Sequence, residues 1–174
     1  DVKTGKALIA PVFKPLNYAA PLVENGVIYA LGRADSLCVA LQLPTSVAAL
    51  RKDGVKELWT RGLKRDRYYG SPVLHEGLLY AFTRNHTLTV LDAKTGETAY
   101  TTRVKGLKGH GYMSPTVAGG RVYLNGEKGS MVTLQTGREY VEATPVQFGP
   151  FRSNPIFTGK RMYLRTYEYL YCFE

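Results

Sequence analysis

The sequence predicts an all-β chain of about four repeated, four-stranded antiparallel units, and three observations predict it. A proline and a tyrosine eight residues later recur as Pro21 and Tyr29, Pro72 and Tyr80, Pro115 and Tyr123, and Pro155 and Tyr163. After each tyrosine comes a second apolar run: Cys38 to Leu41, Leu88 to Leu91, Met131 to Leu134 and Leu170 to Phe173. No stretch sustains a 3.6-residue apolar period, which argues against helical repeats of similar length. Successive prolines stand 51, 43 and 40 residues apart. Four strands in roughly 40–45 residues is the pattern of a β-propeller blade.

The stretch from Tyr69 to Val104 shows the unit most clearly. Its strands are predicted at Ser71 to Leu74, Leu78 to Phe82, Thr87 to Leu91 and Glu97 to Val104, with turn residues in every break. A glycine stands in the first turn of each unit, as Gly26, Gly77, Gly120 and, one residue earlier, Gly159. The turn Asp92-Ala93-Lys94-Thr95-Gly96 has a copy in Asp1-Val2-Lys3-Thr4-Gly5 and a degraded one in Gln135-Thr136-Gly137. In the first unit Asp53-Gly54 takes its place, and Thr45 or Ser46 could cap a short helical turn through Val47 to Leu50. The units fall at about 1–14 (a fourth strand only), 18–60, 69–104, 112–143 and 152–174 (no fourth strand). The expected core is Val23, Ile28, Tyr29, Leu41, Val73, Leu79, Tyr80, Leu88, Val90, Val117, Val122, Tyr123, Leu134, Ile156, Met162, Tyr163 and Leu170.

The patterns S-P-V-x-x-x-G-x-x-Y and L-x-V-L-D-A-x-T-G-E resemble the quinoprotein-type, or PQQ-like, propeller repeat. That repeat occurs in quinoprotein alcohol dehydrogenases and in the β-propeller lipoprotein of the bacterial outer-membrane assembly complex. The resemblance covers nearly the whole chain and speaks to fold more than function, because its residues are turn and core positions. It implies a propeller of about eight blades, of which this chain would be a part, and a periplasmic or secreted setting. The strand expected over Lys6 to Phe13 and the open last unit are complementary. They could close a four-bladed ring within one chain or an eight-bladed ring between two copies; a missing half or another polypeptide could complete it instead.

Charge and aromatics concentrate on one predicted face. The chain carries 23 Lys and Arg against 14 Asp and Glu. The fourth-to-first and second-to-third connections share a face in a propeller. That face holds Arg33, Lys64, Arg65, Arg67, Tyr68, Tyr69, Arg84, His86, Lys105, Lys108, His110, Tyr112, Lys128, Arg152, Arg165 and Tyr167. Converging positive loops attract anions, and the tyrosines, with Phe151, either cap the blade tops or stack against a ligand. The expected partner is a polypeptide or an anionic polymer, with a polysaccharide-binding or accessory role as an alternative. Nucleic acid is disfavoured by the extracytoplasmic setting that the resemblance implies.

Candidate chemistry is sparse. A quinoprotein enzyme would carry PQQ with calcium on the same face, held by carboxylates and amides. The carboxylates there are Asp35, Asp66, Glu127 and Glu168, scattered and flanked by cations. No Cys-Cys pair exists, and the family's tryptophan docking repeats are missing: the lone Trp59 sits where a fourth-strand aromatic packs. No catalytic residue and no metal ligand set is assigned, and no cofactor is predicted. His75 is expected on the other face, and His86 and His110 as surface-loop residues without a third ligand. Cys38 and Cys172 are expected as buried free thiols. Lys105-Gly106-Leu107-Lys108-Gly109-His110-Gly111-Tyr112 precedes a strand, not a helix, so it reads as a flexible basic loop and not a phosphate loop. No run of 18 apolar residues occurs, so no membrane-spanning helix is expected.

Overall fold

The structure is a computed structural model that describes residues 1, 3–9, 18–32 and 36–174. Four antiparallel sheets follow one another along the chain, forming a partial β-propeller. The first contains β1 (Leu22–Glu24), β2 (Val27–Leu31), β3 (Leu37–Gln42) and β4 (Lys56–Gly62). A short helix, α1 (Val47–Asp53), interrupts it; Ser46 caps the helix, its hydroxyl accepting from Ala49 N at 3.1 Å. The second sheet contains β5 (Val73–His75), β6 (Leu78–Phe82), β7 (Thr87–Asp92) and β8 (Thr98–Arg103). The third contains β9 (Thr116–Ala118), β10 (Arg121–Gly126), β11 (Ser130–Gln135) and β12 (Val146–Gln147). The fourth has three strands, β13 (Ile156–Thr158), β14 (Arg161–Arg165) and β15 (Leu170–Phe173).

The turns explain the glycine pattern. In the first three sheets both central residues of the β1–β2, β5–β6 and β9–β10 turns have positive φ: Asn25 and Gly26, Glu76 and Gly77, Gly119 and Gly120. This is the primed hairpin geometry whose twist matches its strands. In the fourth turn Gly159 alone is positive, at the first central position, which is why its glycine comes one residue early. The Asp turn is built twice. Asp92 Oδ1 accepts from Lys94 N and Thr95 N at 2.9 and 3.0 Å, and Gly96 N donates to Asp92 O. Asp1 makes the same bonds to Lys3, Thr4 and Gly5. Beyond it Lys6 to Ile9 carry no strand pairing; the remainder of the strand expected to Phe13 lies outside the described residues.

The core is layered between sheets. Strand alternation sends Leu79 and Ala81 towards the first sheet, onto Tyr29, Leu31 and Trp59, and Tyr80 and Phe82 towards the third, onto Val122, Leu124 and Leu134. Met131, Phe151 and Leu164 fill the third layer with Tyr123 and Met162. Val23, Ile156 and Leu170, expected in the core, are 63 %, 66 % and 72 % exposed. They lie on the outermost two sheets, on flanks where no further sheet covers them among the described residues.

Trp59 packs as a fourth-strand aromatic: its Nε1 donates to Ala93 O at 2.9 Å and its ring lies against Gly96 of the next sheet. One further expectation changes. Cys38 is a buried thiol, but Cys172, on a sheet that no further sheet covers among the described residues, is exposed.

Candidate tyrosine–arginine face

One repeat position builds the face. Three residues before each inner-strand proline stand Tyr18, Tyr69, Tyr112 and Arg152. Their side chains follow one another in space. Ring centroids of Tyr18 and Tyr69 are 5.2 Å apart and those of Tyr69 and Tyr112 are 5.0 Å apart. The Arg152 guanidinium sits 4.6 Å from the Tyr112 centroid. Offset, tilted rings at this distance attract through their quadrupoles, and a cation over a ring face continues the series.

Backbone bonds set this arc in place. The connection after the second strand of a blade bonds the segment entering its own inner strand: Arg84 N donates to Arg67 O, Glu127 N to His110 O and Tyr167 N to Pro150 O, at 2.7, 3.0 and 3.0 Å. The carbonyls of Arg84 and Glu127 then accept from Gly111 N and Phe151 N of the following blade, at 2.9 and 3.2 Å. Below them the inner strands are linked in series. Ser71 Oγ accepts from Ala20 N at 2.8 Å, and Ser114 Oγ from Ser71 N at 2.9 Å. The serine of each Ser-Pro pair is thus an inter-blade acceptor. Tyr112 and Arg152 each follow a peptide unit bonded to both neighbouring blades, which fixes where their Cα atoms stand.

Cations surround the arc. Arg67 Nη1 donates to the Tyr69 hydroxyl at 3.3 Å. Arg84 Nη2 lies 2.8 Å from His110 Nε2, and because arginine only donates, that nitrogen accepts. The His110 ring meets Tyr112 edge-on at 5.8 Å. Burial works to raise the Glu127 carboxyl, but its bond to Arg152 outweighs that and holds it below the usual range.

The remaining predicted residues divide. Tyr68 does not reach the face: it is 2 % exposed, its hydroxyl donating to Lys64 O. Phe151, at the equivalent position, is fully buried. His86 is no surface histidine either; it is 6 % exposed, stacked on Phe82, with Nε2 lacking a partner. Burial first, then the Arg103 charge, hold its imidazole below the ordinary value. The glycine-rich loop is tied down, Lys108 N donating to Ser130 Oγ and Lys108 O accepting from Lys128 N. Lys105 pairs with Glu142 at 3.1 Å, away from the arc. Lys64, Arg65, Lys128, Arg165 and Tyr167 are exposed, and Arg33 and Asp35 lie outside the described residues. Sequence reasoning missed Tyr18. Its signal was present, since it stands three residues before Pro21 as Tyr69 does before Pro72.

The calcium that a quinone cofactor would require is poorly matched here. Among the described residues no three His, Cys, Asp or Glu side chains converge. Asp66 is taken up by Asn85, and Glu127 by Arg152.

Serial antiparallel sheets, docked through a tryptophan on a glycine turn and linked by repeating serines, define a propeller of PQQ-like repeats. A family model described as outer membrane protein assembly factor BamB matches residues 44–140, and the chain belongs to this family. No curated protein sequence matches it. Among solved structures it is similar to BamB from Moraxella catarrhalis, at 15 % identity and a TM-score of 0.58, over 89 % of this chain and 44 % of that one. It is also similar to quinohemoprotein alcohol dehydrogenase from Comamonas testosteroni, at 22 % identity and a TM-score of 0.51, over 71 % and 20 %. The computationally designed Ika4 protein aligns over 98 % of both chains, at 8 % identity and a TM-score of 0.68. The chain therefore spans less than half the length of the BamB and dehydrogenase structures that it matches.

Proposed function

We propose that this chain is a non-catalytic binding propeller whose tyrosine–arginine arc takes an extended polypeptide segment. The observation that carries the reading is the arc itself: one repeat position in four consecutive blades supplies three rings, Tyr18, Tyr69 and Tyr112, and the Arg152 guanidinium in series. Tyrosine and arginine are the residues that dominate protein recognition sites, because each offers a large contact area with a polar tip. The arc presents such groups in a row, with Arg67 and Arg84 beside it for acidic side chains. Membership of a family described as an outer membrane protein assembly factor supports a protein partner and an extracytoplasmic setting. The poor match of the face carboxylates to a calcium-held quinone speaks against the oxidoreductase alternative.

The test is fluorescence anisotropy with labelled acidic, aromatic 12-residue peptides. Saturable binding that survives a rise to about 0.5 M salt is expected, since stacking is not screened as surface charge is. The double variant Tyr69→Ala, Tyr112→Ala should weaken it at least tenfold, roughly the cost of losing one hot-spot residue. Equal affinity in the variant would refute the reading. So would binding confined to a sulfated polysaccharide and lost steeply with salt.

A further inference from the structure

A cleft of about 650 Å³ opens at the outer edge of the second sheet, apart from the tyrosine arc. Three elements line it: the segment after β4 brings Lys64 and Asp66, the β6–β7 connection and start of β7 bring Asn85 and Thr87, and β8 brings Thr101 and Arg103. Asp66 is the one carboxylate in the lining, and it is engaged: Oδ1 accepts from Arg67 N and Asn85 Nδ2 at 2.7 and 3.0 Å, and Oδ2 from Asn85 N at 3.2 Å. Neither Lys64 nor Arg103 forms an ion pair among the described residues. A second depression of about 290 Å³ shares Arg103 and is bordered by His86. The His86 Nε2 atom is buried and has no hydrogen-bond partner among the described residues.

The size falls within the range of small-molecule sites. The lining is cationic and hydroxylated and contains no aromatic platform. Fixed cations with neighbouring hydroxyls suit an oxyanion carried on a polar body, because charge-assisted bonds anchor the anion and neutral hydroxyls bond the rest. We propose that this cleft binds a sugar phosphate, Lys64 and Arg103 holding the phosphate while Thr87, Thr101 and Asn85 bond sugar hydroxyls. The proposal does not depend on the tyrosine arc or on its partner.

Isothermal titration of the full chain with glucose 6-phosphate tests it. Saturable binding is expected, at least tenfold tighter than inorganic phosphate, with no binding of glucose. Arg103→Gln and Lys64→Gln should each weaken it at least tenfold, and Lys160→Gln, in the fourth sheet, should leave it unchanged. If Arg103→Gln disturbs folding by circular dichroism, Lys64→Gln, an exposed substitution, carries the test alone. A hexose phosphate borne on a lipid in micelles should bind no tighter than the soluble ester. Absence of saturable binding, equal binding of inorganic phosphate, indifference to Lys64→Gln, or binding to the micelles only would overturn the proposal.

Discussion

Trp59 joins two blades through one side chain. Its indole N–H bonds Ala93 O, and its ring occupies the space that a Cβ on Gly96 would need, 2.6 Å from Cδ2. Trp59→Ala should cost about 3–5 kcal/mol, the usual loss for a buried tryptophan. Gly96→Ala should cost about 1–3 kcal/mol from overpacking, since φ there is also +71°. Urea denaturation checks both, and a change under about 0.5 kcal/mol in either would contradict the docking. The thiols should separate as their exposure does. Burial pushes the Cys38 thiol up to about 12 and shields it, whereas Cys172 is exposed. Ellman's reagent at pH 8 should therefore find a single fast thiol in the native chain and both after denaturation. His86 gives a pH dependence. Its folded value lies below its unfolded one, so the unfolded chain takes up the proton first. Its contribution to stability is full above about pH 6.5 and falls as the pH drops below that. His86→Gln should flatten the slope of stability between about pH 6.5 and 5, measured by thermal melts across that range.

At the scale of strands and turns, most of the design was legible. The second sheet was expected at Leu78 to Phe82 and Thr87 to Leu91, and β6 and β7 occupy Leu78–Phe82 and Thr87–Asp92. The hairpin glycines and the Asp turn were readable because a positive φ and an Asx bond each restrict the residue type strongly. Burial of outer strands was less legible. Val23 and Ile156 look like core residues, yet no sheet among the described residues covers them, which no local pattern encodes. The serine links were also hidden, since Ser71 and Ser114 bond across 51 and 43 residues of sequence. Ser114→Ala should leave the partly buried Ser71 N without its acceptor and cost about 0.5–1.5 kcal/mol, the usual net worth of one hydrogen bond. Ser114→Thr, which keeps the hydroxyl, should recover part of that loss. Thermal unfolding of the two variants makes the comparison, and equal melting points would show that the link contributes nothing.

For the molecule as a whole, the basic aromatic face was predicted as a set of sixteen residues, and the structure brings a smaller set together. Tyr69, Tyr112 and Arg152 meet in the arc with Arg67, Arg84 and His110 around them, while Tyr68 and His86 turn inward. The sequence offered no means to separate Tyr68 from Tyr69, because adjacent residues in an irregular segment carry no period. Packing makes the distinction: Tyr68 is buried with its hydroxyl on Lys64 O, whereas Tyr69 lies between the Tyr18 and Tyr112 rings. The central claim is that this outward position is where a polypeptide partner binds. Backbone and side-chain NMR mapping with a saturating acidic, aromatic peptide tests it most directly. The account predicts the largest shifts at Tyr18, Tyr69, Tyr112 and Arg152, with smaller ones at Arg67 and Arg84. Shifts centred instead on the exposed strand β15, with the arc unmoved, would contradict it.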